Sequence, residues 1–477
     1  MPTPEVTVRR PEMDDQTAIA PQGRASAVPA AWRSLSRARL EYVFLVIALI
    51  WGLAQVVLMP PFQVPDEGDH WFRAWAMTEG QFTPDDHGVL TLPGSLARTV
   101  DLYSRLAGND RVLPTSFDGQ PGFTGYEDLF DGPGPAGPVT VVSRVSNYGP
   151  IGYLPQAVGI GIGRVIGAPP LISFYLARLV NLVAAVALLC FAIRLAPFGK
   201  QLFVLLALLP VTMMELASVS CDALTIAGTV FFIALVLWAS ARATLRRSDI
   251  ALLLLSSGVF LNVKPGYWAL ILLVLLIRPS QLGNRKRYAG FLLAAETAVI
   301  LGYVLVNWFI TPASAAAGVP GTQLSFILSH PLDFLGVVWS SLPETVVRSA
   351  VSSGILGWMT VALPVVFYPL VMSAGFVFFF WLGDEAHLDL RQRVLMAGVA
   401  IAVFMTIAVA LYVFLTPSGS GQIIFQGRYL IPVWLLLLLS AYGSRHAQRH
   451  RGAPLIAAVL IAMMVLDLGT IVSAYHL

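Results

Sequence analysis

Apolar runs long enough to cross a bilayer recur along this chain from about residue 40 to residue 475, and the basic residues gather in the short loops between them. A crossing takes about 20 predominantly apolar residues. The pattern therefore predicts an all-α integral membrane domain over residues 39–477. Its crossings fall at 40–59, 171–193, 202–217, 223–239, 250–263, 267–277, 291–310, 358–382, 394–415, 430–442 and 454–474, about eleven helices in all. Residues 1–38 are rich in Pro, Ala and polar groups with no apolar period, and they lack the order of a signal peptide. They read as a disordered cytoplasmic tail.

Charge sets the direction of threading. Arg9, Arg10, Arg24, Arg33, Arg37 and Arg39 precede the first crossing, which places the N-terminus in the cytoplasm. A long outer loop, 60–170, then follows, acidic up to residue 150 and carrying interfacial helices. Segment 151–168 could cross or stay outside. If it crossed, the clusters Arg194/Lys200, Arg242/Arg246/Arg247, Arg285/Lys286/Arg287 and Arg445/Arg449/Arg451 would all fall outside. If it does not cross, every one falls inside, as the positive-inside rule requires. The segment thus reads as a re-entrant or interfacial piece on the outer side.

Composition agrees with a membrane class. The 477 residues are 56% hydrophobic and 12% charged, against about 25% charged in soluble domains, and mean hydropathy is +0.73. The net charge of +3 is spread over loops with no single basic patch, which makes nucleic acid an unexpected partner. Cys190 and Cys221 fall near opposite ends of neighbouring crossings, so no intrachain disulfide is expected.

Once the threading is fixed, unusual polar residues collect on one side: Asp66, Glu67, Tyr148, Ser218, Asp222, Lys264, Tyr267, Glu344, Arg348, Gln426, Arg428 and Tyr429. Ionisable groups at membrane depth are expensive, and they pair or line polar cavities. Pro65-Asp66-Glu67 opens an expected interfacial helix that runs through Trp71 and Trp75 to a stop at Gly80, with the tryptophans on one face and Asp66, His70 and Arg73 on another. Asp66 could serve as a general base on an acceptor hydroxyl, or simply cap that helix. Asp222 has the same two readings. Lys264 and Arg428 could hold a phosphate or pyrophosphate, or snorkel to lipid headgroups. Arg178 and Asn181 read as partners of a buried carboxylate, and Ser353 to Trp358 as an interfacial turn with an aromatic anchor. No metal-ligand spacing, phosphate-cradling loop or Ser-His-Asp triad stands out. The sequence requires no cofactor, and a divalent cation stays open.

Ordered fragments carry a resemblance. They are Pro65-Asp66-Glu67 with His70 and Arg73; Asn147-Tyr148-x-Pro150 with Tyr153-Leu154-Pro155; Arg178-Leu179-x-Asn181; Ser218-x-Ser220-x-Asp222; Lys264 with Tyr267; Gly354-x-x-Gly357-Trp358; and Gln426-Gly427-Arg428-Tyr429-x-x-Pro432. Together they resemble a bacterial family of multi-pass membrane proteins of unknown function, which is in turn similar to the type C glycosyltransferases (GT-C). The resemblance implies a GT-C-like fold in the bacterial cytoplasmic membrane and transfer of a sugar from a polyprenyl-phosphate donor to a glycan or lipid acceptor at the outer face. It implies Asp66, Glu67 and Asp222 as catalytic residues. It also implies His70, Arg73, Tyr148, Arg178, Lys264, Tyr267, Gln426, Arg428 and Tyr429 as the substrate-binding set. The competing readings are an envelope lipid or polysaccharide transporter, which would be expected to carry repeated broken helices near mid-membrane, and a non-catalytic scaffold. Convergence of Asp66, Asp222, Lys264 and Arg428 on one outer cavity would separate the enzyme from the scaffold.

Overall fold

A computed structural model describes residues 39–476 apart from 86, 109–115, 118–119, 122–136, 146–147, 265, 310–319, 381–385, 418 and 444–451. The N-terminal tail and the basic cluster at Arg445, Arg449 and Arg451 lie outside the described residues. The chain is mostly helical. The helices are α1 (Leu40–Leu58), α2 (Glu67–Thr78), α3 (Ala97–Gly108), α4 (Leu154–Val165), α5 (Pro170–Leu195), α6 (Lys200–Ala207), α7 (Pro210–Leu216), α8 (Asp222–Ser240), α9 (Arg247–Phe260), α10 (Arg285–Asn307), α11 (Pro320–Ser329), α12 (Pro331–Ser352), α13 (Phe367–Phe380), α14 (Leu390–Leu415), α15 (Ile431–Ala441) and α16 (Gly452–Tyr475).

Among the described residues six helices are long and apolar enough to cross a membrane: α1, α5, α8, α10, α14 and most of α16. Several other apolar runs are broken or short. The expected crossing at 202–217 is two short helices parted at Pro210, and 267–277 is a 3-10 segment, Trp268–Leu276. Helix α8 is the most enclosed of the six and α10 the least.

The segment between α1 and α5 has its own fold. Strand β1 (Val89–Leu92) pairs antiparallel with β4 (Val139–Val142), with β2 (Ser116–Phe117) and β3 (Gln120–Pro121) between them in sequence. Helix α2 is buried along nearly its whole length, inside a second apolar core of Phe62, Trp71, Phe72, Trp75, Leu90, Leu102, Tyr153, Phe174 and Trp358. This corrects two expectations. Trp71 and Trp75 do not face the headgroup layer but pack edge-on to each other in that core, because the loop supplies enough apolar surface to cover them. Trp358 is likewise buried; it sits beside the hairpin of β5 (Ile355–Leu356) and β6 (Val361–Ala362), and its Nε1 donates to the Phe62 carbonyl at 2.8 Å.

Helix α4, in the ambiguous segment 151–168, has 12 residues, or about 18 Å at 1.5 Å per residue, well short of a hydrocarbon core of about 30 Å. It folds back on α5 through Gly167 at φ +69°. The two helices approach closely because Gly159 and Gly163 of α4 meet Ala177 and Ser173 of α5; a Cβ at Gly159 would come within 2.6 Å of the Ala177 Cα. Small residues spaced four apart on both partners are what such an approach requires.

Candidate functional site

Two ionic assemblies meet where the segment between α1 and α5 joins the long helices. The first is structural. Arg178 on α5 is fully buried, and all five of its N–H groups are used. Its Nε and one Nη donate to the two Glu67 oxygens at 2.8 and 2.7 Å, and the remaining donors take the carbonyls of Val56, Met59 and Pro60 at the end of α1. Those carbonyls have no partner within α1 itself, so the arginine completes the helix end and complements its negative dipole. Glu67 also accepts the backbone N–H groups of Phe62 and Val219 at 3.0 Å each. With every group engaged and none exposed, Glu67 and Arg178 tie α1, α2, α5 and the 217–221 turn together. The expected catalytic Glu67 and the expected substrate-binding Arg178 are thus paired with each other.

The second assembly is reachable. Arg428, on a 3-10 turn at Gly427–Leu430, is 5% exposed and lies among three carboxylates. Its Nη1 donates to Glu215 Oε1 at 2.8 Å, its Nη2 is 3.5 Å from Asp66 Oδ2, and its Nε is 3.0 Å from Asp222 Oδ2. The Asp222 approach is a charge contact rather than a hydrogen bond, since neither atom meets the angular requirement and both keep unused hydrogen-bonding capacity. Lys264 Nζ donates to the other Asp222 oxygen at 2.6 Å and lies 4.8 and 4.2 Å from the ring centroids of Tyr148 and Tyr429, within cation–π range. Asp66, Asp222, Lys264 and Arg428 therefore form one unbroken chain of contacts.

Local structure explains how the carboxylates are aimed. Neither aspartate side chain caps its helix. Asp66 precedes α2 at φ +61°, a left-handed conformation that L-residues other than Asn and Asp rarely adopt, and makes no capping bond. At the start of α8 the Ser220 hydroxyl, not Asp222, accepts a backbone N–H, that of Asp222 itself at 3.1 Å. The turn before it is clamped by Asn181 and Gln156, whose side-chain amides donate to the Ser218 and Ser220 carbonyls. Asp66 is the accessible acid, with its side chain 40% exposed, whereas Asp222 and Glu215 are buried.

Two pockets adjoin this cluster. One encloses about 540 Å³ including its open mouth, and Asp66, Arg428, Gln426, Gly357, Trp358 and Met214 are among its lining. The other, about 460 Å³ on the same measure, is bounded by Lys264, Tyr148, Tyr267 and Tyr429 and by the apolar face of α14 from Ile407 to Leu415. Oε2 of Glu215 and Oε1 of Gln426 are buried without a partner.

The remaining expected residues sit further back. His70 Nδ1 is 2.8 Å from the Tyr153 hydroxyl, and its ring stacks near Tyr148. Burial pushes the His70 imidazole down to about 4, against the pull of Asp222 and Asp66. Burial likewise raises Asp69 to about 6, partly offset by the hydrogen bond from Tyr103 at 2.6 Å. Tyr267 donates to the Tyr429 carbonyl. Arg73 is buried away from the cluster, its Nη2 on the Phe82 and Phe309 carbonyls. Glu344 and Arg348 pair with each other one turn apart. Glu215 escaped sequence reasoning, although an acid inside an apolar run was the available signal. Among the described residues no group of three or more His, Cys, Asp or Glu side chains could hold a metal ion.

Fold and site together define a multi-helix membrane protein with a charge cluster buried between two pockets. The chain belongs to the DUF2142 family of predicted membrane proteins, whose family model it matches over residues 49–437. No curated protein and no solved structure matches it.

Proposed function

We propose that this protein is a membrane glycosyltransferase that moves a sugar from a polyprenyl-phosphate donor to a glycan or lipid acceptor at the outer face of a bacterial cytoplasmic membrane, with a GT-C-like fold of about eleven crossings, the N-terminus inside and 151–168 not crossing. One observation carries the reading: an accessible carboxylate, Asp66, shares a cluster with two cations beside two pockets, the more polar one at Asp66 and Arg428 and the more apolar one at Lys264. The apolar pocket along α14 suits a polyprenyl chain, with its phosphate at Lys264 and Arg428. The polar pocket suits an acceptor hydroxyl beside Asp66, which takes its proton as the hydroxyl attacks the anomeric carbon and the phosphate leaves. Attack and departure on opposite faces invert the anomeric configuration.

Charge balance constrains the mechanism. Three carboxylates already face two cations, so the donor phosphate competes with Asp222 and Glu215 for Arg428 and Lys264. Those two buried acids position the cations, and Asp66 alone is accessible enough to meet an acceptor. The test is donor binding by the purified protein. Arg428→Ala should weaken affinity for a polyprenyl-phosphate sugar by about tenfold or more, the loss of one charge-assisted phosphate contact. Unchanged affinity would remove the phosphate role.

A further inference from the structure

Away from that cluster, a carboxylate is buried inside the helices themselves. Asp467 lies on α16, eight residues before Tyr475, which places it about 12 Å below the end of the helix. It is 0% exposed, and its partners come from α1, where Trp51 and Gln55 share a face one turn apart. Trp51 Nε1 and Gln55 Nε2 both donate to the same oxygen, Oδ2, at 2.6 Å each. Among the described residues the other oxygen, Oδ1, has no partner, and neither does the Gln55 side-chain oxygen Oε1. Among the described residues no charged group acts on Asp467.

This distribution fits one protonation state. A carboxylate has two equivalent acceptor oxygens and no donor, so an ionised Asp467 would leave one oxygen bare, in a membrane segment with no cation, beside a second bare acceptor. A carboxylic acid has one carbonyl oxygen and one hydroxyl. Oδ2 then accepts both N–H groups, and a hydrogen on Oδ1 is donated to Gln55 Oε1, which satisfies the two orphans with one proton. Gln55 and Asp467 become a cyclic acid–carboxamide pair with Trp51 as a third partner.

We infer that Asp467 is a proton-binding site within the membrane, occupied by a proton that closes a hydrogen-bonded latch between the first and last crossings, α1 and α16. The latch bears on the candidate site through position. Tyr475 at the end of α16 packs against Gly357, in the wall of the polar pocket, and His476 contacts the Leu58 carbonyl at the end of α1.

The test is infrared spectroscopy of the purified full-length protein in detergent, with Asp467→Asn subtracted from wild type. An asparagine carbonyl can accept both N–H groups and its NH₂ can serve Gln55, so that variant is expected to fold and melt as wild type does. The difference spectrum should contain the carbonyl stretch of a protonated carboxylic acid. Carboxylate bands in its place, or a melting temperature lowered by the asparagine, would overturn the proposal. A second variant, Gln55→Met, leaves Asp467 in place. Loss of the acceptor should shift the acid stretch to higher frequency, and an unshifted stretch would overturn the pairing.

Discussion

Asp66 has the conformation of a residue held for a purpose. Its left-handed backbone costs a non-glycine residue roughly 1–2 kcal/mol, though Asp and Asn bear it best, and nearby Phe62 at φ +63° is also strained. Glu67 and Trp358 fix that turn by binding the Phe62 N–H and carbonyl. Asp66→Asn should therefore leave stability within about 0.5 kcal/mol of wild type, whereas Asp66→Val should lose roughly 1–2 kcal/mol from the backbone alone; thermal melts of the two variants distinguish them. Glu67 is adjacent in sequence and opposite in behaviour. Removing one partner of its buried pair, as in Arg178→Ala, should cost about 3–5 kcal/mol, read as a large fall in melting temperature or a failure to accumulate. His70 adds a pH dependence. Its folded-state value near 4 lies below the ordinary 6.5, so the stability held by the neutral ring is complete above about pH 6.5 and falls as pH drops through 4, by about 3 kcal/mol at most. His70→Gln should remove that part of the acid sensitivity, measured as melting temperature against pH beside wild type. A His70→Gln profile parallel to wild type would contradict the assignment.

Residue type and order made Asp66, Asp222, Lys264 and Arg428 legible, but neither Glu215 nor the pairing among them. Sequence could present Glu67 and Asp66 only as equivalent neighbours. What separates them is that Arg178, 111 positions away, faces one and not the other. Among elements, the segment between α1 and α5 was harder to read than the long helices, since the amphipathic pattern of α2 is that of a membrane-surface helix whereas an apolar core covers both its faces. Helix α4 is a short helix in the segment that charge and glycine content set apart. Its pairing with α5 depends on the absence of side chains at Gly159 and Gly163, so Gly159→Leu should force the helices apart and destabilise by at least the 1–3 kcal/mol of an overpacked contact, seen in thermal melts. A stability equal to wild type would mean that the close approach is not needed.

Across the whole molecule, the turn before α2, the short helix α7, the start of α8 and the turn at Gly427–Leu430 converge on one charge cluster, flanked by two pockets, one more polar than the other. Hydrophobic length does not show helix continuity: among the described residues the apolar run at 202–217 is parted at Pro210 and that at 267–277 is wound as a short 3-10 segment. The cluster draws on that irregularity, since Glu215 lies on the short helix α7 and Lys264 just beyond the end of α9. The most direct measurement is transfer by purified protein in lipid, with a panel of radiolabelled polyprenyl-phosphate sugars and membrane glycolipid acceptors. Wild type is expected to transfer label from at least one donor, and Asp66→Asn, folded to the same melting temperature, to lose activity by about 10²-fold or more, the contribution of a general base. Full activity in a folded Asp66→Asn, or no transfer by wild type from any donor in the panel, would contradict a glycosyltransferase built on Asp66.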